Sequence, residues 1–215
     1  MMIKWLGHSC FKLKNSEGKA VVTDPFDEKV GYPVPNVRAD IVTVSHGHGD
    51  HSNMRAVQGE PTVIREPGVH ESAGIRITGV ETAHDNMGGA RAGKNVAFVV
   101  EMDGIRVCHL GDLGHVLSPE QIKQIGRVDV LLVPVGGTYT IDAKTAAEVC
   151  ESLNPNIIIP MHYKLDTVTY PIDTVHPFLD IMKKHYDVSS IGDNKIEIDA
   201  SKAKKRQRVV VLNYY

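Results

Sequence analysis

Ile41-Val42-Thr43-Val44-Ser45-His46-Gly47-His48-Gly49-Asp50-His51 joins a short apolar run to four side chains of metal-ligand type within six residues. The run at 41–44 reads as a buried strand, so the His-rich segment falls at a strand end, where loops build sites on a rigid scaffold. In extended backbone, residues two apart point the same way, so His46 and His48 suit one ion. Asp50 and His51 follow a turn later and can reach a second. Histidines packed this densely point to metal rather than to an incidental polar loop.

Three further candidates each close an apolar strand. They are His84 in Thr82-Ala83-His84-Asp85, Asp112 in Leu110-Gly111-Asp112, and His162 in Ile159-Pro160-Met161-His162. With His46, His48, Asp50 and His51 they make seven donors. That is too many for one tetrahedral ion and suits two ions with open positions.

Outward from these motifs, alternating and apolar runs predict strands at 3–6, 10–14, 20–23, 62–65, 75–82, 95–101 and 105–110. Asp103-Gly104 is a hairpin turn signal between the last two. Helices enter later. Ser118-Pro119-Glu120-Gln121 carries a capping Ser, Pro at the first helical position and Gln at the third. Asp142 caps a helix over 143–153, whose Ala146, Val149, Cys150 and Leu153 share one face. A last helix is expected over 175–185, and further strands at 128–133, 156–160, 196–198 and 208–212. Strands that lead and then alternate with helices imply an α/β or α+β layered domain.

The chain has 215 residues, a length that fits one domain over 1–215 with a single core. Its formal net charge of -2 supplies no global field for nucleic acid or membrane. No run approaches the ~20 apolar residues of a membrane span. Cys10, Cys108 and Cys150 are odd in number and widely separated, which argues against a disulfide framework and fits a reducing cytoplasm.

The His-x-His-x-Asp-His loop at 46–51, His84, the Gly-Asp motif at Asp112, and His162 resemble, in order and spacing, the metallo-β-lactamase superfamily. The resemblance covers nearly the whole chain. Trp5-Leu6-Gly7-His8-Ser9, Thr23-Asp24-Pro25-Phe26 and Pro160-Met161-His162-Tyr163 are similar to its small stand-alone branch of metal-dependent hydrolases, which includes an ascorbate-6-phosphate lactonase. The resemblance implies a four-layer αββα sandwich with the site at one edge of its two sheets. It implies that His46, His48 and His84 hold one metal, that Asp50, His51 and His162 hold the other, and that Asp112 bridges them. A hydroxide between the ions would be the nucleophile, with Asp50 as the catalytic proton acceptor. An N/O donor set leads to zinc first, with manganese, iron or nickel as alternatives. Members that hydrolyse β-lactams commonly place a cysteine on the second metal and lack the bridging aspartate, so that reaction is not expected here.

Two divalent ions, less two carboxylates and one hydroxide, leave a charge of about +1, which favours anionic substrates. The expected partner is a small anionic ester, lactone or phosphoester. A membrane or nucleic-acid partner is not expected, and a homo-oligomer that walls off the cleft is compatible with the sequence. A nuclease or nucleotide phosphodiesterase of the same fold is one alternative; a di-iron redox protein is another.

Other residues invite two readings each. Asp24 either orients a ligand histidine or starts a turn. His8 either lines the site or is a buried, hydrogen-bonded residue. His115 reads as a solvent-facing loop residue before a proton donor, and His109 as core. The Gly-rich stretch 85–94, with Arg91 and Lys94, is either a lid gripping an anion or a plain hairpin loop. Thr138-Tyr139-Thr140 is a candidate lining of the cleft, and Gly136-Gly137 either allow a close backbone approach or form a tight turn. Lys202, Lys204, Lys205, Arg206 and Arg208 read as a solvated basic turn before a phosphate-binding patch.

Overall fold

Period-2 burial is clearest in β1 (Met2–Gly7), where Ile3, Trp5 and Gly7 are buried and the residues between them are partly exposed. It pairs antiparallel with β2 (Cys10–Lys14), and β2 pairs antiparallel with β3 (Ala20–Thr23). The computed structural model describes residues 1–200 and 207–214. The short β4 (Val37–Arg38) precedes β5 (Ile41–Thr43), which runs parallel to β3, and the one-turn helix α1 (Gly49–Ser52) follows. The short β6 (Val57–Gln58) pairs with β4, and β7 (Thr62–Ile64) runs parallel to β5.

The second half builds a larger sheet. β8 (Gly68–Ser72) and β9 (Ile75–Ala83) form a hairpin, as do β10 (Lys94–Met102) and β11 (Ile105–His109). The turn at Asp103-Gly104 has positive φ at both residues, 50° and 73°, as the predicted Asp-Gly hairpin requires. Helix α2 (Pro119–Ile125) carries the full predicted capping box between Ser118 and Gln121. β12 (Val130–Pro134), α3 (Ala143–Leu153) and β13 (Ile157–Met161) follow, with Asp142 accepting from Thr145 N–H at the start of α3. Helix α4 (His176–Met182) is shorter than expected, with Pro177 in its first turn. β14 (Asp187–Ser190), β15 (Lys195–Glu197) and β16 (Arg208–Val211) complete the described elements.

One sheet runs β15-β1-β2-β3-β5-β7 and the other β14-β16-β13-β12-β11-β10-β9-β8. A continuous core unites inward residues of both, from Trp5, Phe11 and Ile41 to Phe98, Val107 and Ile158. Helices α2, α3 and α4 add Ile125, Val149 and Phe178 to it. On the smaller sheet a second cluster, including Cys10, Val22, Phe26, Tyr32, Val44 and Ile172, is covered mainly by loops and single helical turns. This is the αββα sandwich in a lopsided form, with its long helices on the larger sheet.

Strand direction places the site. β1, β3 and β5 run the same way in one sheet, and β9, β11, β12 and β13 run the same way in the other. Their C-terminal ends meet at one edge of the sandwich. The residues just beyond them are His8, Asp24 and His46 on one side, and His84, Asp112 and His162 on the other. Of the basic run, Lys202, Lys204, Lys205 and Arg206 lie outside the described residues, and Arg208 opens β16.

Candidate metal centre

Asp112 Oδ2 lies at the middle of four imidazoles. His51 Nε2 is 3.2 Å away, His84 Nε2 3.3 Å, His162 Nε2 3.4 Å and His46 Nε2 3.9 Å. His46, His48 and His84 form one group with a nitrogen each within 4.8 Å of the others; His46, His51 and Asp112 form a second. His48 is exposed toward the cleft, and His51, His84, Asp112 and His162 are buried. Asp50 Oδ2 stands 3.6 Å from His51 Nε2. All seven residues expected from the sequence are therefore gathered at one place.

The donors fit divalent metal. His46 Nε2, His51 Nε2 and Asp112 Oδ1 are buried and have no hydrogen-bond partner. Leaving such groups unpaired costs about 1–3 kcal/mol each, a cost that coordination removes. Burial, and then His51, push His46 down to about 3, so it is a neutral donor. Burial alone would raise Asp112, but His162 and His51 outweigh it and hold the carboxyl far below its ordinary range. Burial would lower His51, but the carboxylates of Asp112 and Asp24 reverse that and hold it well above its ordinary value. A metal ion bound there would take the place of that proton.

A layer of polar contacts fixes these side chains. Asp24, fully buried, accepts from Ser45 N–H at 2.8 Å and Ser45 Oγ–H at 2.5 Å, and meets His51 Nδ1 at 2.8 Å. Ser45 Oγ also lies 3.0 Å from His46 Nδ1. One carboxylate thus orients two ligand rings, the orienting reading of Asp24. Asn95, also fully buried, was not singled out from the sequence. Its Oδ1 accepts from Asp112 N–H at 3.0 Å, and its Nδ2 donates to Leu110 O and Thr82 Oγ1. The readable signal was a lone amide in an apolar strand. At Gly111 (φ 56°) an added Cβ would stand 2.4 Å from Asn95 Oδ1, and at Gly136 it would stand 2.2 Å from His162 O. The close-approach reading of Gly136 is the one observed.

His115 is a partly exposed loop residue that does not line the cleft: Nε2 accepts from Ala83 N–H at 3.1 Å and Nδ1 pairs with Val116 O at 2.8 Å. It braces the backbone just before His84. His109 is core, with Nε2 donating to Ser9 O and Nδ1 accepting from Gly111 N–H. The stretch after His84 winds around Asp85, whose two oxygens accept from the N–H groups of Met87, Gly89, Arg91 and Ala92, each at 2.8 Å. These bonds, Ala92's first, hold its carboxyl below its usual range. Arg91 lines the cleft, whereas Lys94 pairs with Glu81 at 2.9 Å and does not line it. The cleft holds ≈ 560 Å³ and is also lined by His48, Asp50, Tyr139 and Tyr170.

Residues 2–162 match the β-lactamase superfamily domain. A UPF0173 metal-dependent hydrolase from Thermoplasma acidophilum is 33% identical over 189 residues, 76% of this chain and 83% of the relative. One from Archaeoglobus fulgidus is 32% identical over 203 residues, 80% of this chain and 85% of the relative. The crystal structure of a metallo-β-lactamase superfamily protein from Thermotoga maritima superposes with a TM-score of 0.80 at 47% identity, covering 98% of this chain and 97% of that one. The chain belongs to the metallo-β-lactamase superfamily, and within it to the metal-dependent hydrolases.

Proposed function

We propose that the protein is a binuclear hydrolase of small anionic esters, lactones or phosphoesters. The observation that carries this reading is the position of Asp112 Oδ2, 3.2–3.9 Å from histidines of both expected ligand groups. His46, His48 and His84 would hold one ion, Asp50, His51 and His162 the other, and Asp112 both. Two such ions, zinc first, would supply Lewis acidity and a water whose pKa falls to around 7.

The chain's own residues supply the rest. The neighbouring imidazoles of His8 and then His51 outweigh the burial that would raise Asp50, so its carboxyl stays ionised at neutral pH and open to the cleft. It is the group able to accept a proton from the attacking water and pass it on. Arg91, carried on the loop wound around Asp85, offers its guanidinium to an anionic substrate. Tyr139 and Tyr170 wall the cleft with their ring centroids 6.1 Å apart. A cleft of ≈ 560 Å³ suits a molecule of metabolite size. Three buried, unpaired cysteines suit a reducing cytoplasm.

The test is hydrolysis of a panel of phosphorylated lactones, phosphodiesters and thioesters by the chain carrying two equivalents of metal. Turnover is expected to drop by roughly 10²–10⁴-fold in Asp50→Asn, the loss of a proton-transfer group. A fully loaded chain that turns over no member of the panel would overturn the reading.

A further inference from the structure

His8 is 1% exposed, and neither of its ring nitrogens has a hydrogen-bond partner. A histidine kept for packing would not leave two polar atoms buried and unpaired. Its backbone is also costly. His8 sits at φ 50°, where glycine or asparagine is the easier occupant. Asp24 at 39° and His162 at 52° share that condition, and both belong to the centre. Backbone held this way in a non-glycine residue clusters at functional sites. The His8 carbonyl pins the geometry, accepting from Trp5 Nε1 at 2.9 Å and from His162 N–H at 3.3 Å.

The ring points among the donors of the second ion. His8, His51 and His162 each offer a nitrogen, all within 4.8 Å of one another. His8 Nε2 is 3.5 Å from Asp50 Oδ2, which is 3.6 Å from His51 Nε2. His51 Nε2 is in turn 3.2 Å from Asp112 Oδ2, and His162 Nε2 is 3.4 Å from it. Two donors bound to one ion at about 2.1 Å stand roughly 3.0–3.4 Å apart, so this chain of spacings is close to that of a coordination shell.

Resting on the binuclear reading, we propose that His8 is a direct ligand of the second ion, alongside Asp50, His51, Asp112 and His162. The two sites then differ. The first has three histidines and a shared carboxylate, a four-donor set that suits tetrahedral zinc. The second has three histidines and two carboxylates, which suits an ion that takes five or six ligands, such as manganese, iron or cobalt.

The test is cobalt titration of the full chain, read by visible absorption and by metal stoichiometry after gel filtration. His8→Gly relieves the positive φ, so the variant keeps its backbone, which far-UV circular dichroism of the metal-free chain verifies. His8→Asn, equally comfortable at that angle and too short to reach the ion, is the second variant. If His8 is a ligand, both variants bind the second cobalt at least roughly tenfold more weakly. The visible band intensifies as the coordination number falls, and added imidazole restores the wild-type band in His8→Gly. Unchanged affinity and band in both variants, with two cobalt ions still bound, would overturn the proposal and leave the binuclear reading standing. A wild-type chain that takes one cobalt would overturn the binuclear reading instead. The band of that single ion in His8→Gly would then decide the His8 assignment by itself.

Discussion

Asp24 shows how much of the centre rests on a residue that binds no metal. It is fully buried, takes two hydrogen bonds from Ser45 and meets His51 Nδ1 at 2.8 Å, so rings from both expected ligand groups depend on it. Asp24→Asn keeps the volume and removes the charge facing His51. Affinity for the second ion is expected to fall about 10–100-fold, measured by competition with a chromogenic chelator. Unchanged affinity would reduce Asp24 to a packing role. The ligands themselves were legible because histidine and aspartate are conspicuous where apolar strands end. Asn95 and Ser45 were not legible in the same way, and His8 read equally as a site-lining or a buried, hydrogen-bonded residue. Asn95 acts on Asp112 across a strand pairing that no local pattern specifies. The position of His8 beside the other donors follows once β1, β3 and β5 are known to run in one direction, so that their ends fall together.

At the scale of elements, local chemistry was the best guide. The capping box at Ser118, the cap at Asp142 and the Asp103-Gly104 turn all form as their residues dictate, because each is decided within a few positions. β8 and β14 escaped notice because they lie at the edges of the larger sheet, and an exposed edge strand carries little apolar alternation. The loop after His84 had two readings, lid or plain hairpin. It joins the antiparallel β9 and β10, as a hairpin loop does, yet it is wound tightly around the Asp85 carboxylate and carries Arg91 to the cleft. Asp85→Ala removes the acceptor for four backbone N–H groups. The expected result is a higher KM for anionic substrates with metal content unchanged, together with faster proteolytic cleavage between residues 86 and 92. A KM equal to wild type would show that Arg91 contributes nothing to binding.

The two sheets share one core, but at the site edge they meet mainly through polar side chains. His46, His48, Asp50 and His51 come from the smaller sheet, and His84, Asp112 and His162 from the larger. Metal bound among them would therefore tie one sheet to the other at an edge lined by these polar side chains. Ligands that bind only the folded chain stabilise it by mass action, about 2.7 kcal/mol for each ion supplied at a hundredfold its dissociation constant. Two ions would contribute roughly 5 kcal/mol, and a chain of this size gains about 2–4 °C in Tm per kcal/mol. The loaded protein is thus expected to melt on the order of 10–20 °C above the chelated one in differential scanning calorimetry. Asp112→Ala, with the central carboxylate removed, should lose most of that gap even with metal in excess, because histidines of both expected groups lie around this oxygen. Equal melting of the loaded and chelated wild type would mean that the ions bind a site already rigid without them, and that the core alone holds the sheets together at this edge.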